Sequence, residues 1–424
     1  MNLLLLGILV VLFLIGVPIG IVLALTTLVF IYFTTNIPLI ALPQQMFAGI
    51  DTTLLLAVYF FILAGQIMTV GGLSRRLIRL MTAFLGDTRG GLAISSVLGC
   101  IFFAAISGSS PATVIAIGGI MIPTMIKEGY GEHFSLGLLT SAGSLGILIP
   151  PSIPMIIWAL VMSISVTDQF VAGVMPGLIL GCAFILFTMV KSRKENWRGK
   201  QRVRLSEIKE ALKQGSCGLA LPVVVLGGIY SGVFTPTEAS AVAVVMALLI
   251  ELFIHRDLSF KEIPGVLKES TVLGASLVFI ISGACTISWY LSFMQIPNNI
   301  AEYLGNVITQ KWLFLLLINF FLLFLGCFVD LVSAMLILGP IFLPTLAKFG
   351  IDPIHFGIIM VVNIEIGFLT PPFGLNLFVS AGITKRPLSV VVKSVAPFLV
   401  VMYGCLLLLT YVPCLSIWLV SLLR

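Results

Sequence analysis

Apolar runs of about 20 residues, the length that crosses a hydrocarbon core of about 30 Å, succeed one another from end to end of the chain. Short stretches that hold nearly all of the charge separate them. The pattern predicts helix throughout, with full spans at 3–17, 19–35, 52–71, 134–164, 171–190, 218–234, 237–254, 270–294, 353–383 and 391–418. Two other apolar stretches, 91–127 and 311–347, are interrupted halfway by small, polar or glycine residues. They read as re-entrant hairpins that enter and leave on the same side. The expected fold is an all-α polytopic membrane protein of about ten transmembrane helices plus two re-entrant helical hairpins.

Charge tests this layout, because cytoplasmic loops carry the excess of Lys and Arg. With the hairpins drawn as such, 20 of the 23 Lys and Arg residues fall on one side and only Lys311, Lys348 and Arg424 on the other. Turning either hairpin into a crossing would invert every later loop and scramble that separation. The same layout puts both termini on the periplasmic side of a bacterial inner membrane, with the basic loop Lys191 to Lys213 inside. The amphipathic part of that loop, Arg202 to Lys213, suits either a helix lying along the anionic inner leaflet or a solvated helix joining two halves.

Composition agrees. The 424 residues are 59% hydrophobic and 9% charged, against roughly 25% charged in soluble domains. The net charge of +6 reads as a topology signal, so no nucleic-acid partner is expected; the partner of most of the surface is the lipid bilayer. Seven cysteines, none in a CxxC pair, read as small buried hydrophobes. Met1 to Pro18 lacks a basic n-region and reads as a retained first span.

The two halves match one another at an offset of 221 residues. Pro123-Thr124 pairs with Pro344-Thr345, Gly146 with Gly367, Pro150-Pro151 with Pro371-Pro372, and Pro176 with Pro397. In the drawn topology the hairpins open to opposite sides, which makes the halves inverted copies: 1–190, a connecting segment 191–217, and 218–424. Inverted repeats with interrupted helices at corresponding places point to a secondary-transporter site near the midplane.

Unwound backbone at bilayer depth is tolerated only where its freed groups face water, protein or a bound ion. Four such places stand out. The first hairpin tip, Ser107 to Thr113, has a helix-blocking Pro111 and offers serine hydroxyls and carbonyls to a small hard cation, Ser107 and Ser110 foremost; a helix-packing face is the other reading of these serines. The second tip, Gly326 to Asp330, carries an acid that suits a cation ligand, a proton carrier or a helix cap. The spans 134–164 and 353–383 break at Gly143 to Ser152 and at Glu365 to Asn376. Half-helix N-termini there attract anionic groups, so a carboxylate-bearing substrate is expected between tips and breaks, with Ser109, Ser152, Thr370, Pro371 and Asn376 as candidate contacts. Glu238 reads as an ordinary first-turn acid.

With these residues in view, the chain resembles the large membrane subunit of a tripartite ATP-independent periplasmic (TRAP) transporter. The likeness rests on Ser107 to Thr113, Gly146 to Ser152, Gly232-Val233-Phe234-Thr235-Pro236-Thr237-Glu238-Ala239 and Leu369-Thr370-Pro371-Pro372-Phe373-Gly374. It implies an elevator-type importer of an organic acid, of the C4-dicarboxylate or sialic acid class, driven by Na⁺ as coupling ion. It implies a small four-helix membrane partner and a periplasmic substrate-binding protein. It puts two Na⁺ sites at Ser107, Ser110, Gly146 and Pro150, and at Gly326, Asp330, Gly367 and Thr370. The rivals are weaker. An ATP-driven pump lacks a phosphate loop, and an ion channel has no need of paired inverted hairpins. An intramembrane serine hydrolase on Ser109 or Ser110 needs a histidine that the layout keeps near the membrane faces, so no enzyme is expected.

Overall fold

A computed structural model describes residues 7, 11–12, 15–197 and 205–423. The span expected at 3–17 lies largely outside them, as does 198–204 of the basic loop. The described residues form helices and connecting turns, with no strand among them. Among the described residues, seven helices are long and apolar enough to cross a membrane, or up to nine if each of two bent pairs is one span.

Both interrupted stretches fold as helical hairpins. In the first, the arm Gly91–Ser107 is followed by Ser110–Lys127, and the arms run back along each other: Ser96 meets Met125, and Gly99 lies against Ile117. In the second, Lys311–Gly326 is followed by Leu331–Lys348, with Phe321 and Phe342 in edge contact. The two broken spans break where proline and glycine said they would. Glu132–Leu148 and Ile153–Met162 meet at 41°, and Pro353–Phe368 stops six residues before Leu375–Thr384 begins. Ile354 to Phe368 is buried at every position. A helix that is apolar on nearly every side belongs inside a bundle, and this one, with only His355, Asn363 and Glu365 among its buried polar residues, forms the centre.

The offset of 221 persists in the backbone. Second arms begin at Ser110 and Leu331 and end at Lys127 and Lys348. Both are followed by a glycine with positive φ, Gly129 at +89° and Gly350 at +60°, which ends a helix without the cost a Cβ would bring. Both breaks carry a cis Pro-Pro bond, Pro150-Pro151 and Pro371-Pro372.

Outside this inner layer, long helices pack as a scaffold. Ile19–Thr34 crosses Ile263–Phe293 closely enough that a Cβ on Gly283 would meet the Gly20 carbonyl oxygen at 2.3 Å. Small residues let helix backbones approach in this way in lipid. Leu54–Val70 packs on Pro236–Leu249, whose N-terminus carries a full capping box between Thr235 and Glu238. The structural reading of Glu238 fits that geometry.

Five elements differ from the sequence expectation. The short loop holding Arg75, Arg76 and Arg79 is a helix, Leu73–Leu85, that buries Leu73, Leu77, Ile78, Leu80 and Met81 against its neighbours. Its apolar stripe is too narrow to register as a span. The described part of the amphipathic segment does not form a separate surface helix. From Leu205 it runs straight on into the next span to Tyr230, through Gly215, Gly218 and Pro222. The last span is Leu388–Tyr411, not 391–418; Pro413 interrupts it, and Cys414–Leu423 is a separate short helix packed on Val166–Lys194. Short helices Ala41–Ile50 and Ile296–Val307 were also missed.

Candidate substrate and ion site between the hairpin tips

Each hairpin tip rests on the break of its own half. At the first tip Gly108 takes φ +57°, and its carbonyl receives the Ile153 amide at 3.4 Å. A Cβ on Gly146 would stand 2.4 Å from the Ser109 carbonyl oxygen and 2.5 Å from Thr113 Oγ1. At the second tip a Cβ on Gly367 would stand 2.3 Å from the Gly326 carbonyl carbon. Both glycines are required by close backbone approach rather than by their own φ.

The second arm of each hairpin is capped by equivalent residues. The Ala112 amide donates to Ser109 Oγ at 3.4 Å, and the Ser333 amide donates to Asp330 Oδ1 at 3.0 Å. The Ser333 hydroxyl donates to the other carboxylate oxygen. Asp330 therefore is a cap, and that role leaves its side chain at the cavity wall.

Between the tips lies a cavity of about 330 Å³ lined by Ser107 to Ala112 from one hairpin and Asp330 to Val332 from the other. Scaffold residues Gln66, Thr69 and Ser276 close it, with Phe368 and Leu375 flanking the second break. Gly65 lets the scaffold approach: its added Cβ would touch the Ser107 Cα at 3.2 Å. Among the described residues, no Lys, Arg or His lines this cavity.

Of the candidate residues, Ser107, Ser109, Ser110 and Asp330 line the cavity. Gly146, Gly326 and Gly367 sit behind them in the tip-on-break contacts, and Pro150 is buried in the first break. The Thr370 hydroxyl donates to Ile366 O at 2.8 Å, and Ser152 Oγ donates across its own break to Ile147 O at 2.5 Å. Pro371 is exposed beside the second break.

Asn376 lies elsewhere, and with it a residue that sequence reasoning passed over. Ser110 Oγ donates to Glu365 Oε1 at 2.6 Å, and Asn376 Nδ2 reaches Ser110 Oγ at 2.6 Å and Glu365 Oε1 at 2.8 Å. All three side chains are buried. Glu365 is an acid in the middle of an apolar segment, the same signal that drew attention to Asp330.

The histidines are engaged away from the tip serines. His133 bonds Ser394, His355 bonds Ser416 and Thr410, and His255 stands beside Glu251 and Asp257. The hydrogen bonds of Ser109 and Ser110 run to Ala112, Glu365 and Asn376 and not to a histidine, so the base that hydrolysis at the tip would need is not beside them among the described residues.

Paired hairpins and paired broken helices around a cavity, in a membrane-spanning helical body, define a transporter. The chain belongs to the family of the DctM component of the tripartite ATP-independent periplasmic transporter, whose model matches residues 6–415. It is 41% identical, with 98% of each chain covered, to a Rhodobacter capsulatus protein described as the C4-dicarboxylate TRAP transporter large permease protein DctM. It is 45% identical to the like-named protein of Pseudomonas aeruginosa, over 89% of this chain and 88% of that one. In fold it is similar to the YdaH transporter of Alcanivorax borkumensis, with a TM-score of 0.62 at 15% identity over 88% of this chain and 87% of that chain. The protein is thus the large membrane subunit of a tripartite system, a multi-pass permease.

Proposed function

We propose that this permease imports an organic acid in symport with at least two Na⁺, by an elevator movement of the two hairpins and broken helices against the scaffold. The observation that carries the reading is the cavity between the tips: it is reached by two helix N-termini and by serine and aspartate oxygens, and no basic side chain among the described residues lines it. A carboxylate entering such a place finds no fixed positive charge, and an uncompensated charge in an apolar setting is costly. Cations entering with the cargo meet that requirement. Oxygen donors suit Na⁺, a small hard ion. Ser107 and Ser110 with the backbone at Gly146 and Pro150 form one site in this reading. Gly326 and Asp330 with Gly367 and Thr370 form the other.

The cargo class is a C4-dicarboxylate, the substrate in the names of both relatives, with sialic acid as the second class to test. Ser109 is the cargo contact that the lining supports best; Ser152, Pro371 and Asn376 lie outside that lining. A four-helix membrane partner covers part of the apolar scaffold, and a periplasmic binding protein delivers the acid. The Lys and Arg asymmetry supports periplasmic termini in an inner membrane.

The test is uptake of a labelled dicarboxylate into proteoliposomes holding the complex, with the binding protein outside. Uptake is expected to need external Na⁺ and the binding protein. Undiminished uptake after Na⁺ is exchanged for choline would remove the coupling.

A further inference from the structure

Resting on the Na⁺-coupled reading, we propose that Glu365, Asn376 and Ser110 form a further monovalent-cation site, bridging the first hairpin tip and the second broken helix. The argument begins with hydrogen-bond supply. The Ser110 hydroxyl and the Asn376 amide group both donate into the cluster, and Glu365 Oε1 accepts from each. Glu365 Oε2 and Asn376 Oδ1 are buried and have no donor at all. Two bare oxygens, one of them half of a carboxylate, are left buried among protein atoms.

The charge is also unanswered. The ion pairs Arg76–Asp257, Lys191–Glu195 and Arg386–Glu132 do not involve Glu365. Its immediate neighbours on the helix, Ile364 and Ile366, are apolar and buried. A carboxylate in such a place needs a counter-charge, and the oxygen-only donor set of carboxylate, amide carbonyl and hydroxyl is that of a hard cation. A monovalent ion balances the single charge.

The internal repeat supplies a control. At the offset of 221, the counterparts of Ser110, Glu365 and Asn376 are Leu331, Ser144 and Met155. The other half therefore builds the same tip, cap and break with no acid and no amide at these places. The fold does not call for them; the cluster is an addition to one half.

The cluster is reached from the cavity through Ser110, the one member of the three that lines it. Ser110 and Glu365 stand 255 residues apart in the chain, so an ion held here ties the first tip to the second half. It adjoins the first-tip site, with which it shares Ser110 and to which it adds Glu365 and Asn376, and it is distinct from the Asp330 region on the second tip. The role of Asn376 changes with it, from a cargo contact to an ion ligand.

The test is equilibrium binding of radioactive ²²Na⁺ to the purified full complex, with the Na⁺-dependent rise in melting temperature as a second readout. Glu365→Gln keeps the shape and removes the charge; Asn376→Ala removes a ligand oxygen and leaves the carboxylate. Each is expected to bind one Na⁺ fewer than wild type, or to bind the last one at least ten-fold more weakly, while melting without Na⁺ stays near wild type. Should Glu365→Gln fail to fold, Asn376→Ala carries the comparison alone. Unchanged stoichiometry and affinity in the folded variants would overturn the site. So would retention of every Na⁺ together with a new loss of proton-driven uptake, which would make Glu365 a proton carrier. If wild type itself binds no Na⁺, the coupled reading has failed instead.

Discussion

Replacing Gly367 with alanine tests the contact on which the second ion site depends. The added methyl would stand 2.3 Å from the Gly326 carbonyl carbon and 2.5 Å from both its Cα and its oxygen. Ordinary contact begins at 3.4 Å, so tip and break must separate by the difference, 3.4 minus 2.3, or 1.1 Å. The obstructing atoms are backbone and have no alternative rotamer. Overpacking of this kind costs about 1–3 kcal/mol, which corresponds to about 5- to 150-fold in any equilibrium that needs the tip seated on the break.

The expected result is a rise of that size in the Na⁺ concentration giving half-maximal uptake, with a lower melting temperature in detergent. Gly382→Ala is the control: it is helical, and nothing lies within 4 Å of the added carbon. Alanine there is expected to be neutral or to stabilise by about 0.5–1 kcal/mol, since glycine is the poorer helix former. Gly146→Ala should repeat the effect at the first tip, where the methyl meets the Ser109 carbonyl oxygen at 2.4 Å. If Gly367→Ala behaves like Gly382→Ala in both assays, the tip-on-break contact is not what shapes the ion site.

Two further substitutions separate structural from functional roles. Asp330→Asn keeps a cap acceptor for the Ser333 amide and should hold stability while Na⁺ affinity drops, whereas Asp330→Ala should also lose about 0.5–2 kcal/mol of stability; equal Na⁺ dependence in wild type and Asp330→Asn would leave the aspartate as a cap alone. Glu251 is buried and accepts from the Gly72 and Leu73 amides at 3.1 Å each, anchoring the amphipathic helix Leu73–Leu85. Glu251→Ala should lower stability by about 1–3 kcal/mol for each amide left bare, read as a lower melting temperature with unchanged Na⁺ affinity.

The parts of this fold that announced themselves in the sequence are those where local chemistry forbids regular helix. Pro111, Pro150-Pro151 and Pro371-Pro372, with the glycines around them, marked tips and breaks whose positions the structure repeats, because a missing N–H and a missing Cβ act wherever the chain goes. Leu73–Leu85 was invisible for the opposite reason. Its five buried apolar residues alternate with three arginines, and no window over it looks like a span. The end of the last span was misplaced because Pro413 is a single breaker in an otherwise continuous apolar run. The Ser110, Glu365 and Asn376 cluster could not be read as a unit, since its members come from two halves and meet only through tertiary packing. Glu365 alone carried a visible signal, an acid among isoleucines.

That cluster bears on how the transporter uses the membrane voltage. A dicarboxylate carries two negative charges, so two Na⁺ entering with it move no net charge, and the potential contributes nothing to accumulation. A third cation, held at Glu365, makes the cycle electrogenic by one charge, worth about 2.3 kcal/mol per 100 mV, or close to a 50-fold steeper cargo gradient. Glu365 itself adds nothing to this count, because a fixed charge that moves inward loaded returns outward empty. Wild-type uptake of a dianion should therefore quicken when an inside-negative potential is imposed with K⁺ and valinomycin, and Glu365→Gln should respond to the Na⁺ gradient alone. A variant still driven by voltage as strongly as wild type would show that the third charge enters by another route.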